Sequence, residues 1–351
     1  MNSTFNIEDL IRESIKDLRP YSSARDEYVS DGSRMVFLDA NENPFETGIN
    51  RYPDPRQRNL KAALAKQKGV GVHNMLLGNG SDEVLDLIFR AFCEPKVDNI
   101  ITLPPTYGMY KVLAGINAIE NKEVLLTDTF EPDVDGILKK VTNHTKLIFL
   151  CSPNNPTGNS FTDESILKLL DRFKGLIVVD EAYIDFSPKE SWLHRLEKYP
   201  NLIVTQTLSK AYGMAGIRLG ICYASKEVIA ILNRIKPPYN VNELTQQSAL
   251  ERVMNRELVR TEVAEILKEK ETLAKELSSI KCITMVYPSD ANFVLVKVDD
   301  ADKRYQQLLE RKIVVRNRST QPRCENTLRF TVGTKEENAK LIQGLAAISE
   351  S

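Results

Sequence analysis

Neither sign of charge is in excess in this sequence. Its 47 lysines and arginines face 48 aspartates and glutamates over 351 residues, so no basic face for nucleic acid and no anionic-membrane surface is expected. Histidine is scarce. His73, His144 and His194 lie far apart and offer no metal-ligand spacing. Cysteine is scarce too: Cys93, Cys151, Cys222, Cys282 and Cys324 are scattered without paired spacing. An odd number, several in apolar settings, argues against a disulfide framework and predicts reduced thiols in a cytoplasmic protein. No run of about 18 apolar residues exists to span a membrane. The opening stretch MNSTFNIEDLIRESIKDL is acidic and lacks the apolar run, about 7–15 residues long, of a secretory signal.

What is present is alternation. In the opening stretch Ile7, Leu10, Ile11, Ile15 and Leu18 recur at helical spacing, which predicts a short amphipathic helix. In the middle third, KLIFLC (146–151), LIVVD (176–180), LIVTQT (202–207) and LGICYA (219–224) read as buried strands. Between the first two, TDESILKLLDRF reads as a helix with Thr162 as its N-cap. Strand and helix in turn predict an α/β fold with a mostly parallel sheet covered on both faces. After Pro237-Pro238 the texture changes. Residues 242–279 read as long, charged helix, and ANFVLVKV (291–298) and TLRFTVG (327–333) alternate like half-exposed strands. The length suits two domains with a sizeable core. We expect a large domain over residues 35–240 and a smaller α+β domain built from both chain ends, 1–34 and 241–351.

In open parallel sheets, ligands bind beyond the carboxyl ends of the strands. Here SPNNPTG (152–158), DEAY (180–183) and LSK (208–210) follow three successive strands. They deliver Asn155, Asp180, Tyr183 and Lys210 to one edge. Each has a plainer reading: a turn, a helix cap, a solvated lysine. Their convergence asks for a common chemistry. A lysine amine forms a Schiff base with an aldehyde, and pyridoxal phosphate is the common aldehyde cofactor. Its pyridine nitrogen needs a carboxylate beside it to act as an electron sink, which suits Asp180. Its ring oxygen needs donors, which suits Asn155 and Tyr183. Its phosphate needs a helix N-terminus, hydroxyls and an arginine. Ser81 and Asp82 open the helix in LGNGSDEVLDLIFRAF (77–92), and Thr207, Ser209 and Arg218 surround the lysine. That GNG lacks the spacing of a dinucleotide site. Tyr107, in PPTYGMY (104–110), is placed to stack on a ring.

SPNNPTG, DEAY and SKAYGMAGIRLG, in this order and spacing, resemble the fold-type I, class II pyridoxal-phosphate aminotransferases. RPYSSARDEY (19–28), LDANENPF (38–45), NRYPDP (50–55), LGNGSDE, PPTYGMY and LRFTVGT (328–334) are similar to strings of the histidinol-phosphate aminotransferases of histidine biosynthesis. Threonine-phosphate decarboxylases and some aromatic aminotransferases carry similar strings. The resemblance implies a fold-type I transferase with a seven-stranded, mostly parallel sheet. It implies that Lys210 bonds the cofactor, that Asp180 pairs with the ring nitrogen, and that Asn155 and Tyr183 serve the ring oxygen. Ser81, Asp82, Ser209 and Arg218 would hold the phosphate and Tyr107 would stack. Tyr52 would reach the cofactor of the other subunit, which makes the protein a homodimer with shared sites. Arg329 would receive a carboxylate, Arg316 and Tyr21 would help bind the substrate phosphate, and Asn41 would sit beside the site. Arg318 departs from the family's pattern and receives no role from it. The implied reaction converts L-histidinol phosphate and 2-oxoglutarate to imidazole acetol phosphate and glutamate. A pyridoxal-phosphate lyase needs the same lysine and aspartate. A DNA-binding regulator would need a segment for which about 35 residues ahead of the large domain leave no room.

Overall fold

The computed structural model describes residues 5–19 and 36–349. Seven strands form the larger sheet: β1 (Met75–Asn79), β2 (Asn99–Thr102), β3 (Glu120–Glu123), β4 (Thr145–Cys151), β5 (Leu176–Asp180), β6 (Leu202–Thr207) and β7 (Leu219–Tyr223). Their order is β1-β7-β6-β5-β4-β2-β3. The strands β3, β2, β4, β5 and β6 pair in parallel, as the alternation of strand and helix predicts. β7 is antiparallel to both of its neighbours. The reason is length. A parallel return takes about a dozen residues or more, usually a helix, and the link from β6 to β7 carries only the short turn Ala215–Ile217.

The sheet is covered on both sides. Successive side chains of a strand point to opposite faces. Leu147, Phe149, Cys151, Val178 and Ile203 therefore join one apolar cluster, with the helix Ser81–Phe92. Ile148, Leu150, Ile177, Val179 and Val204 join the other, with the helix Asp163–Arg172. Thr162 stands at the N-cap of that second helix without capping it; its hydroxyl donates to Glu131 instead (3.2 Å).

Residues 5–19 form two short turns, Ile7–Asp9 and Glu13–Lys16, not the continuous helix that the spacing predicts. Leu10, Ile11 and Ile15 are buried against the helix layer of the large sheet, while Leu18, 44% exposed, leaves the stripe. The Arg12 N–H donates to the carbonyl of Ala91 and its side chain pairs with Glu94. This piece of the N-terminal segment thus packs on the large sheet.

The smaller sheet holds β8 (Ile283–Val286), β9 (Phe293–Val298), β10 (Arg316–Asn317) and β11 (Thr327–Thr331), in the order β10-β11-β9-β8 and antiparallel throughout. The helices Arg256–Leu277, Ala301–Glu310 and Lys335–Ser349 bury Leu277, Leu308 and Leu345 against Val294, Val296, Leu328 and Phe330. β9 is central and buried except at Lys297, so it is not the half-exposed strand expected. Phe293 belongs to the core of the larger sheet. The long helix expected over 242–279 is two helices, Glu243–Met254 and Arg256–Leu277, broken at Asn255, whose backbone (φ −92°, ψ 55°) is not helical. Asparagine bonds readily to nearby backbone outside the helical geometry, which suits it to such a break. All five cysteines are free and buried. Among the described residues, no helix is long and apolar enough to cross a membrane.

Candidate active site

The parallel registers bring Cys151 and Asp180, the last residues of β4 and β5, abreast of Thr205, two residues before the end of β6. The three segments singled out in the sequence therefore leave the sheet side by side. Asp180 is 3% exposed. The Tyr110 hydroxyl donates to its Oδ2 (2.7 Å), and the N–H of Ala182 to its Oδ1 (3.2 Å). Burial, the largest influence, pushes its carboxyl upward from the usual range, against these hydrogen bonds. Tyr110 was not among the candidates from sequence. Its one signal is its place three residues after Tyr107, one turn along, where the two rings meet edge to face (5.5 Å).

Asn155 and Tyr183 are both buried, and the Asn155 amide donates to the Tyr183 hydroxyl (3.4 Å). Nη1 of Arg329 donates to Oδ1 of Asn155, so β11 of the small sheet touches the loop after β4. The Lys210 ammonium lies 5.7 Å from the Tyr183 ring centre. Its pKa is drawn down by burial first, then by Arg329 and Arg218, against Asp180 and Asp82. Arg329 joins Arg218 in this role, a pairing of β11 with the lysine that the sequence does not announce.

The helix Ser81–Phe92 begins at Gly80, whose φ is +85°. A Cβ there would lie 2.6 Å from Nη2 of Arg218, and a Cβ at Gly220 would lie 2.3 Å from the Ser81 backbone nitrogen. Two glycines thus let the helix start, Arg218 and β7 close on one another. Arg218 donates to the Ser209 hydroxyl (3.4 Å) and lies 3.7 Å from Asp82. Thr207 donates to Ser209 (3.0 Å), and Tyr107 donates to Asp82 (3.0 Å). The candidate phosphate ligands therefore form one connected group.

Arg316 stands directly across the ladder from Arg329. Three further candidates are not among these contacts in the described residues. Tyr52 is half exposed and stacks on Tyr239 (4.5 Å between ring centres). Asn41 is exposed in a left-handed backbone (φ 54°), and Tyr21 lies outside the described residues. A cavity of about 710 Å³, lined by Lys61, His73, Lys226 and Lys236 among others, shares no residue with the cluster.

The donor set fits pyridoxal phosphate. A buried carboxylate held by hydrogen bonds suits a protonated ring nitrogen. A helix start, two hydroxyls and an arginine suit a phosphate, and a lysine of lowered pKa suits an aldehyde.

The sequence profile of the class I and II aminotransferases matches residues 37–345. The chain belongs to that family. It is 64% identical over 348 residues to the histidinol-phosphate aminotransferase of Flavobacterium johnsoniae, covering 99% of this chain and 100% of that one. It is 62% identical to that of Flavobacterium psychrophilum, covering 99% and 100%. Among solved structures, the histidinol-phosphate aminotransferase of Clostridium acetobutylicum matches with a TM-score of 0.80 at 24% identity, covering 86% of this chain and 92% of that one. The Sinorhizobium meliloti histidinol-phosphate aminotransferase, solved in complex with pyridoxal 5′-phosphate, matches with a TM-score of 0.77 at 22% identity, covering 86% and 83%. These structural likenesses are of fold, and they make the architecture fold-type I. The chain is an aminotransferase, with pyridoxal phosphate as the family's cofactor.

Proposed function

We propose that this aminotransferase moves the amino group of L-histidinol phosphate to 2-oxoglutarate, in histidine biosynthesis. The observation that carries the reading is identity above 60% along the whole chain to relatives of that name. When bound, pyridoxal phosphate supplies an electrophilic carbon and an electron sink. The residues around it divide the remaining work. Asp180, oriented by Tyr110, would hold the ring nitrogen protonated. Asn155 and Tyr183 would serve the ring oxygen, and Tyr107 would stack on the ring. Ser81 and Asp82 through their amides, with Thr207, Ser209 and Arg218, would hold the phosphate. The lowered pKa of Lys210 favours a neutral amine whose Nζ takes the proton from the substrate Cα. Arg329 and Arg316, with Tyr21 and Asn41, would bind the substrate, since guanidinium forks suit carboxylate and phosphate alike.

The same reading makes the molecule a cytoplasmic homodimer, with Tyr52 of the partner subunit completing each site. Val36 (81% exposed), Leu38 (89%), Phe45 and Ile49 put apolar surface on the segment that carries Tyr52, which favours burial against a second copy. Residues 35–240 would form the cofactor domain and 241–351 the smaller one, with the cleft between them.

A panel of amine donors with 2-oxoglutarate tests the substrate. L-Histidinol phosphate is expected to give the highest kcat/KM, above histidinol, aromatic amino acids and threonine phosphate. Preferential turnover of threonine phosphate with release of CO₂ would overturn the reading in favour of a lyase.

A further inference from the structure

Arg318 has no role in the site as drawn, yet it stands within it. Arg316 faces Arg329 across the β10–β11 ladder, and Asn317 faces Leu328. The Arg318 N–H continues that ladder by donating to the carbonyl of Thr327 (2.9 Å). Residues two apart on a strand share a face. Arg316, Arg318 and Arg329 therefore stand on one side of the small sheet, the side from which Arg329 reaches Asn155.

Among the described residues no carboxylate forms an ion pair with any of the three, although other arginines of the chain, such as Arg304 with Asp299, are so paired. The Nε atoms of Arg318 and Arg329 are buried and meet no hydrogen-bond partner. Burial, then Arg329 and Arg316, draw the Arg318 pKa down to about 10, which leaves it charged at neutral pH. Arg318 and Arg329 are partly desolvated and Arg316 stands exposed beside them; the three cations repel one another, and an anion placed among them relieves both the repulsion and the two unmet donors.

We infer that Arg318 is a third guanidinium of the donor's anion subsite and sets its preference for a phosphate monoester over a carboxylate. The inference rests on the phosphorylated donor proposed above. A phosphate monoester carries about −1.5 to −2 charges at neutral pH and three acceptor oxygens. It can engage three forks, whereas the single charge and two oxygens of a carboxylate are met by a pair. One subsite can then take the donor's phosphate on three arginines and the distal carboxylate of 2-oxoglutarate on fewer.

The test uses holoenzyme carrying Arg318→Gln or Arg318→Lys, with L-histidinol phosphate and L-histidinol as donors. In Arg318→Gln the ratio of their kcat/KM values is expected to fall about 10- to 100-fold, the size of a lost charge-assisted contact. In Arg318→Lys, which keeps the charge without the fork, the ratio falls by less. The KM for 2-oxoglutarate rises less than that for histidinol phosphate. An unchanged ratio in both variants, whether through no loss or through equal loss on the two donors, overturns the inference and leaves the substrate reading standing. A parent enzyme that does not itself prefer the phosphorylated donor overturns the substrate reading, and the inference with it.

Discussion

Lys210 titrates in a field that several distant residues set together. Burial, Arg329 and Arg218 lower its pKa, and Asp180 and Asp82 raise it. Removing Arg329 removes a lowering influence, so the lysine of the apoenzyme should titrate at higher pH in Arg329→Gln. The pH dependence of amine acylation at Lys210 reads this directly; a midpoint that stays put or falls would contradict it. Lys210→Ala should abolish both transamination and the visible absorbance of the bound cofactor. The Tyr110 hydroxyl donates to Asp180 at 2.7 Å, and this bond works against burial to keep the carboxyl ionised. Hydrogen bonds to charged groups are worth roughly 1.5–3 kcal/mol. Tyr110→Phe should therefore cost about tenfold or more in kcat by letting the buried carboxyl take up a proton more readily. Full activity with an unshifted pH profile in that variant would show that Asp180 holds its charge without Tyr110. Lysine and aspartate were legible in the sequence because polar groups that end apolar runs have few structural reasons to be there. Tyr110 was not, because a tyrosine inside an apolar helix looks like core, and most of its ring is core.

At the scale of the element, the reversal of β7 builds half of the candidate cofactor group. β6 ends just before Ser209 and Lys210, β7 begins just after Arg218, and the helix start at Ser81 closes against Gly220. Gly220→Ala would push a methyl group into the backbone at Gly80 and Ser81. Overpacking of this kind costs roughly 1–3 kcal/mol. Here it should weaken cofactor binding about tenfold or more, as followed by fluorescence titration of the apoenzyme. Gly216→Ala is the control, because its added Cβ meets nothing within 4 Å; equal effects from the two would refute steric closure as the cause. The middle of the parallel sheet, β4 to β6, was legible because its strands carry short apolar runs bounded by turn residues, whereas β3, Glu-Asn-Lys-Glu, carries no apolar residue to mark it. The direction of β7 and the break at Asn255 were not, since an apolar run carries no sign of its direction and a charged helical pattern runs straight through one asparagine.

For the whole molecule, the contact between Arg329 and Asn155 joins residues 174 apart in the chain. No local pattern reports it, and it links the small sheet to the large one at the site itself. The shared-site arrangement is tested by mixing Lys210→Ala subunits with Tyr52→Phe subunits. Hybrid dimers should regain one site with both residues intact, so activity should exceed the sum of the two separate variants. No recovery would mean that each subunit supplies its own tyrosine. The exposed apolar segment from Val36 to Tyr52 then acquires a consequence in concentration. Mass action makes the stability of any dimer depend on the amount of protein present. Specific activity should therefore fall on dilution once protomers part, and added pyridoxal phosphate should move that fall to lower protein concentration by holding the pairs together. A catalyst built on the proposed shared sites would work only above a threshold abundance, and its output would rise more steeply than its amount until that threshold is passed.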